Sequence, residues 1–245
     1  GDGAFFGYTS NDNGTTSIHK RTLTNGYPFG NKIEYIGTLA FAGNSSSTGS
    51  ALVLPDSLVY LGDSAFYWCE GIESVTFGTG LNYTGESAFE QCTGLASVTF
   101  GGLTEISERM FYGCSDLGSA NRGTLVIPDS ITKIGMGAFM GTTALKDVTL
   151  PNGLTEVPEL LFASLDNEKG EIVYASGLTS VVIPDTVTKI GDGAFYRTQL
   201  ASIDLKNVTE IGILAFMGTN LRTVESEKVV TVGDGAFASA AIGKI

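Results

Sequence analysis

Histidine is almost missing from this chain: His19 is the only one in 245 residues, and it sits beside Lys20 and Arg21 with no serine or cysteine that the sequence would hold against it. A histidine-based hydrolytic triad is therefore not expected. Cysteine is scarce too, with Cys69, Cys92 and Cys114 spaced too far apart for any Cys-x-x-Cys pair, so neither a zinc site nor any other cofactor is expected. Cations are few, 14 Lys and Arg against 26 Asp and Glu, and no basic stripe relieves the net charge of −12. A nucleic-acid backbone would be repelled by such a surface. No apolar run approaches the roughly 20 residues of a membrane-spanning helix. Proline, at 6 residues, is too sparse for rigid linkers, whereas glycine, at 33, points to many tight turns.

Self-similarity organises what remains. A residue pair ending in Phe recurs at Ala4-Phe5, Ala40-Phe41, Ala65-Phe66, Ala88-Phe89, Met110-Phe111, Ala138-Phe139, Leu161-Phe162, Ala194-Phe195, Ala215-Phe216 and Ala236-Phe237. The commonest spacing, 21 to 23 residues, is that of a solenoid repeat. Within each unit the same apolar skeleton returns, as in Leu178, Val181, Ile183, Val187, Ile190, Ala194 and Phe195, and in Leu145, Val148, Leu150, Leu154, Val157, Leu161 and Phe162. The two-apart pair Val181 and Ile183 has the alternation of a strand, and Pro184-Asp185 ends it. A second short extended piece, Val187 to Ile190, closes at Gly191, with Gly37, Gly62, Gly85, Gly135, Gly212 and Gly233 in the matching place. Asp63, Asp192 and Asp234 then precede the Ala-Phe step, where a carboxylate suits the cap of one helical or 3-10 turn. Each buried apolar side chain contributes about 1.5 to 3 kcal/mol. Seven of them do not offset about 1 to 2 kcal/mol of backbone entropy on each of some 20 residues. A single unit cannot stand alone, so the units must share one interior.

The pattern L-x-x-V-x-I-P-x-x-V-T-x-I-G-x-x-A-F, read most closely at 178–195 and 125–139, resembles the BspA-type (Treponema-type) leucine-rich repeat of bacterial surface proteins. The resemblance runs from Tyr27 to Ala238, with departures where Thr84 and Ser226 replace apolar residues. It implies a curved solenoid with a parallel sheet, exported to the cell surface or secreted, and used in adhesion or in binding an extracellular or host protein. Together with the residue pattern it gives an α/β repeat solenoid of mostly short parallel strands with one short helical or 3-10 turn per repeat. Residues 1–245 read as a single solenoid of about ten repeats, the first and last incomplete. The chain opens in mid-unit and residues 241–245 begin another strand, so a longer natural protein is expected.

Where the period stretches, it stretches at one point, between the Phe and the next strand, so Ser10 to Gly26, Ser115 to Gly123 and Leu165 to Ser176 are expected as loops along one edge. The three cysteines follow the repeat Phe by three residues in consecutive units and are expected as free, buried thiols in a line. Asp56, Asp129 and Asp185 read as turn residues, and Glu105, Glu156 and Glu210 as a solvated stripe, which leaves no catalytic pair. The candidate binding surface is the row of outward strand residues, chiefly Thr76, Thr99, Val126, Thr149 and Val182, flanked by Val53, Asp204 and Glu225. A second row after each Phe adds Tyr67 and Trp68, with Tyr112 and Tyr196. The expected function is a non-enzymatic interaction or adhesion module; the alternative is a structural spacer within a larger envelope-anchored protein.

Overall fold

A computed structural model describes residues 8–10, 16–18, 21–23, 29–46, 50–166, 172–240 and 242. The chain coils into rungs, and each rung contributes to three stacked sides. The first side carries the strands before the Pro-Asp turns. Ser50–Val53, Ile72–Thr76 and Ser97–Thr99 pair in parallel, as do Thr124–Val126, Asp147–Thr149 and Ser180–Val182, and then Ser202–Asp204 with Thr223–Glu225. The second side is built from two-residue strands. Tyr35–Ile36, Tyr60–Leu61 and Tyr83–Thr84 form one parallel set, Glu105–Ile106 and Lys133–Ile134 another, and Glu156–Val157, Lys189–Ile190, Glu210–Ile211 and Thr231–Val232 a third. This is the repeat solenoid of short parallel strands that the sequence predicts.

The third side, which carries the Ala-Phe step, differs in detail from the expected helical turn. In one rung Ala65 N–H donates to the Gly62 carbonyl, Tyr67 N–H to Ser64 and Cys69 N–H to Phe66, so three-residue turns follow one another without merging into a helix. The reason is handedness. Ser64 and Trp68 have φ of 53° and 58°, and residues at the same two places in other rungs, such as Leu39, Gly137 and Gly193, are also left-handed. Such a residue cannot continue a right-handed helix. The intervening N–H groups point to the next rung instead: Phe66 donates to Ala88 and Phe195 to Ala215, both at 2.8 Å, and the same bond recurs from Phe41 to Phe216. The backbone polar groups of this side are thus satisfied between rungs. Among the described residues the one 3-10 helix is Ser119–Asn121, inside an insertion.

Two of the expected caps are corrected in the same way. Asp63 does not cap its own turn: its Oδ1 accepts from the backbone N–H of Glu86, 3.1 Å away in the next rung. Asp192 does the same with the N–H of Ile213 at 2.7 Å. The corner glycines let the rungs come this close. A Cβ on Gly191 would lie 2.6 Å from the backbone nitrogen of Glu159, and one on Gly233 2.5 Å from that of Ile213.

One buried apolar cluster runs from Ile36 to Ala236. Its spine is the Phe ladder, in which neighbouring rings from Phe41 to Phe237 stack with centroids 5.2 to 6.0 Å apart and interplanar angles of 4° to 20°. Phe5 lies outside the described residues. Of the two skeletons read from the sequence, only Val181 is less than fully buried, and it still packs on the core. Cys69, Cys92 and Cys114 are buried thiols joined in no disulfide, as expected. Their Sγ atoms donate to the carbonyls of Phe41, Phe66 and Phe89 in the preceding rung, each at 3.1 Å. Where Asn44, Thr142 or Thr219 stands in that place, the side chain bonds the Phe carbonyl of its own rung at 2.8 Å.

Of the insertions, 115–123 and 165–176 root at one corner. Asp116 N–H donates to Thr93, Ala144 N–H to Ser115 and Gly177 N–H to Thr142, which places their bases side by side. The later one contains an antiparallel pair, Leu165–Asp166 with Ile172–Tyr174. Of the first insertion, Tyr8–Ser10 pairs antiparallel with Thr16–Ile18 and Arg21–Leu23 runs parallel to Asn44–Ser46. His19 lies outside the described residues, and so does the strand expected at 241–245, apart from Ile242, which packs on the core.

Burial pushes the Cys92 and Cys114 thiols well up from their ordinary values, so the reactive thiolate is suppressed. An aromatic disulfide reagent will titrate no cysteine in the native protein and all three in denaturant; rapid native labelling would show that the rungs separate. Phe139→Ala will remove one ring from the middle of the ladder and lower stability by about 3 to 5 kcal/mol, as read by urea unfolding.

Candidate functional site

The long-strand side orders the outward residues into a ladder because parallel pairing, in register apart from one shift between Ser50 and Ala51, puts every second side chain in the same place on each rung. Val53 faces Thr76, which faces Thr99; Val126 faces Thr149, which faces Val182; Asp204 faces Glu225. Val53, Val126 and Val182 are 60%, 62% and 53% exposed, values that rule out a core role for these β-branched side chains. Thr99 is exposed, and Thr76 and Thr149 are half-buried. The ladder is interrupted between Thr99 and Val126, where the 115–123 insertion enters. Its middle run borders an open concavity of about 570 Å3 lined by Val126, Thr149, Val182, Pro128 and Pro184.

Rigid turns frame that concavity. Asp129 Oδ1 accepts from the N–H of Asn152 at 2.9 Å, and its Oδ2 from Asn152 Nδ2 at 3.1 Å, which holds its carboxyl below the usual carboxylate range. At the edge of the concavity the Asp185 carboxylate pairs with Lys206 Nζ at 2.8 Å, and away from it, on earlier rungs, Asp56 Oδ1 accepts from both the N–H and the hydroxyl of Thr79. These aspartates are turn residues, as the sequence suggests, tying one rung to the next rather than reaching for a substrate.

The row after each Phe is mostly packing between rungs. Tyr67 and Trp68 are half-buried, their rings edge to face at 6.4 Å, and the indole N–H donates to Glu70 Oε1 at 2.6 Å. Tyr112, Met140 and Ala163 are buried together with Leu160 and Tyr196 packed on them. The Arg109 guanidinium lies 4.4 Å from the Tyr112 ring centroid and grips the buried Glu90 carboxylate with two hydrogen bonds, 2.8 and 3.1 Å. That contact raises the Arg109 pKa. The structure therefore brings the strand-face residues together on one side, in the runs Val53 to Thr99 and Val126 to Val182, and leaves Tyr67 and Trp68 on a different side.

The short-strand side carries surface chemistry that the sequence reading passed over. Tyr35, Tyr60 and Tyr83 occupy one column and stack at 4.5 and 4.8 Å with their planes 7° and 10° apart, yet Tyr35 is 56% and Tyr83 45% exposed. The signal was present: each Tyr directly precedes the inward residue of its strand, at the repeat spacing. Glu105, Lys133, Glu156, Lys189 and Glu210 continue the column, with ion pairs of 2.6 Å from Lys133 to Glu105 and 3.2 Å from Lys189 to Glu210. Among the described residues no group of three His, Cys, Asp or Glu could hold a metal ion, and no helix is long and apolar enough to cross a membrane.

The geometry agrees with comparisons to known proteins. A family model for the BspA type leucine rich repeat region matches residues 20–126 and 118–240 in 6 copies. A leucine rich cell surface protein from Faecalibacterium prausnitzii A2-165 superposes with a TM-score of 0.59 at 24% identity, over 91% of this chain and 53% of that one. This chain thus spans about half the length of that relative. A leucine rich repeat protein of T. pallidum superposes with a TM-score of 0.52 at 24% identity, over 97% of this chain and 87% of that one. Among proteins of curated function, none matches the sequence. The repeat, the parallel ladders and the family match agree, and the chain belongs to the BspA-type leucine-rich repeat family.

Proposed function

We propose that this chain is a non-enzymatic, surface-exposed interaction module that binds an extracellular or host protein through its long-strand side and the insertions rooted beside it. The observation that supports this reading most directly is the outward, β-branched ladder Val126, Thr149 and Val182, which exposes two apolar valines where a strand normally turns polar residues to solvent. An extended or flat partner surface can desolvate such a ladder with little reorganisation, because the backbone beneath it is fixed on both edges. The acids around it are engaged in turns, which supports binding over catalysis. The relative from Faecalibacterium prausnitzii is described as a cell surface protein, consistent with the same location here.

A spacer role within a larger envelope protein is the second reading, and the unbroken Phe ladder favours it by making the rungs mutually dependent along the stack.

The two readings separate by experiment. Labelled protein is titrated onto a panel of immobilised extracellular-matrix and plasma proteins, with Val126→Lys/Val182→Lys as the comparison. The interaction reading expects saturable binding to at least one of them, weakened about 10-fold or more by two lysines in the contact. Binding to none of them, or binding indifferent to the substitutions, leaves the spacer. Replacing 167–171 by a shorter Gly-Ser turn will leave the urea midpoint unchanged while lowering that binding, because loop length carries little folding cost; undiminished binding would remove the insertion from the contact surface.

A further inference from the structure

The short-strand side holds more negative charge than its own cations balance, and it holds it in a line. Ladder bonds define a column two residues beyond the strands: Leu39 N–H donates to Asp63, Ser64 to Glu86, Ser87 to Glu108, Arg109 to Met136, Gly137 to Glu159, Leu160 to Asp192, Gly193 to Ile213 and Leu214 to Asp234. Eight consecutive rungs thus present six carboxylates and two apolar side chains, and no cation. Adjacent rungs are about 4.8 Å apart, and like charges directly opposite on neighbouring strands destabilise a sheet. Two of the acids use an oxygen to accept a backbone N–H of the next rung. Among the described residues none of the six has Lys or Arg within ion-pairing distance. The lysines nearby, Lys133 and Lys189, are committed to Glu105 and Glu210 in the inner column.

We propose that this side is a docking groove for an extended, lysine- and arginine-rich polypeptide segment lying along the stack. Glu86, Glu105, Glu108, Glu156, Glu159 and Asp192 line one open concavity of about 550 Å3 together with Lys133 and Lys189, so six carboxylates outnumber two ammonium groups there. Met136 and Pro158 in the same lining offer apolar surface to the aliphatic stems of long cationic side chains. Tyr83 closes one end. Its ring stacks on Tyr60 and its hydroxyl donates to Asp63 Oδ1 at 3.2 Å; it shares the lining of the concavity with Glu105, and among the described residues no second ring and no cation lies against it on that side. An arginine guanidinium fits there, attracted by the ring face and by the carboxylates beyond it. From Tyr83 to Asp192 the groove crosses five rungs, about 19 Å, the reach of about six extended residues. The carboxylates stand in a row and do not converge, which suits a linear polycation and not a metal ion. The groove lies on a different side from the long-strand ladder and does not depend on the function proposed for it.

The probe is a fluorescein-labelled hexapeptide of alternating lysine and arginine, followed by anisotropy at low and at physiological salt, with a Gly-Ser hexapeptide as blank. The groove variant is Glu86→Gln/Glu108→Gln/Glu159→Gln/Asp192→Asn. The control variant, Asp129→Asn/Asp185→Asn/Asp204→Asn/Glu225→Gln, removes the same charge from the long-strand side. The amides keep acceptors for the backbone bonds, and urea unfolding of both variants checks that the rungs remain intact. The groove variant will bind the basic peptide about 10-fold or more weakly and with a shallower salt dependence, while the control stays within about 2-fold of the parent. Equal losses in both variants would mean that the net charge of −12 attracts the peptide diffusely, and that result, or no binding at low salt, would overturn the groove.

Discussion

The register between rungs governs everything else in this molecule. Hydrogen bonds on three sides, from the Pro-Asp strands, the two-residue strands and the Ala-Phe turns, hold each coil directly over the last, so that Phe rings meet Phe rings and thiols meet Phe carbonyls. The stacking energy of one ring pair is modest, about 0.5 to 1.5 kcal/mol beyond area burial. Its importance comes from repetition, since each coil buries its apolar residues chiefly against its neighbours and folds only as part of the set.

Two local devices keep that register. Left-handed residues on either side of each Phe from Phe41 to Phe237, except Phe162, which has only Leu160, stop the turn from winding into a helix and redirect its N–H groups along the stack. Aspartates after the prolines and after the corner glycines then accept backbone or side-chain bonds from the following rung. Insertions are tolerated where neither device operates, between the Phe turn and the next strand, and the two later ones share a corner for that reason.

A structure with such strict register turns sequence position into surface chemistry. Every column is one kind of environment repeated, so a small bias at one position of the repeat becomes a stripe along the molecule. The long-strand side accumulates valine and threonine, and the short-strand side accumulates tyrosine at one end and carboxylates through the middle. The two sides therefore present different chemistry, one apolar and the other charged.

The repeat length, the inward residues and the burial of the three cysteines were legible in the amino-acid order, because burial at a fixed period leaves apolar residues at fixed spacing. The strand-face ladder from Val126 to Val182 was legible for the same reason, since alternation along a strand assigns its faces. The character of the Ala-Phe step was not, because a left-handed Ser64 or Trp68 carries no mark in its identity and is imposed by the bonds to the adjacent rung. Nor could Asp63 be known to serve the next rung, or six carboxylates to fall into one column: residues more than 20 apart become neighbours only when the coils are stacked. Sequence periodicity determined which residues share the interior; the stacking register alone decided which surface residues stand together.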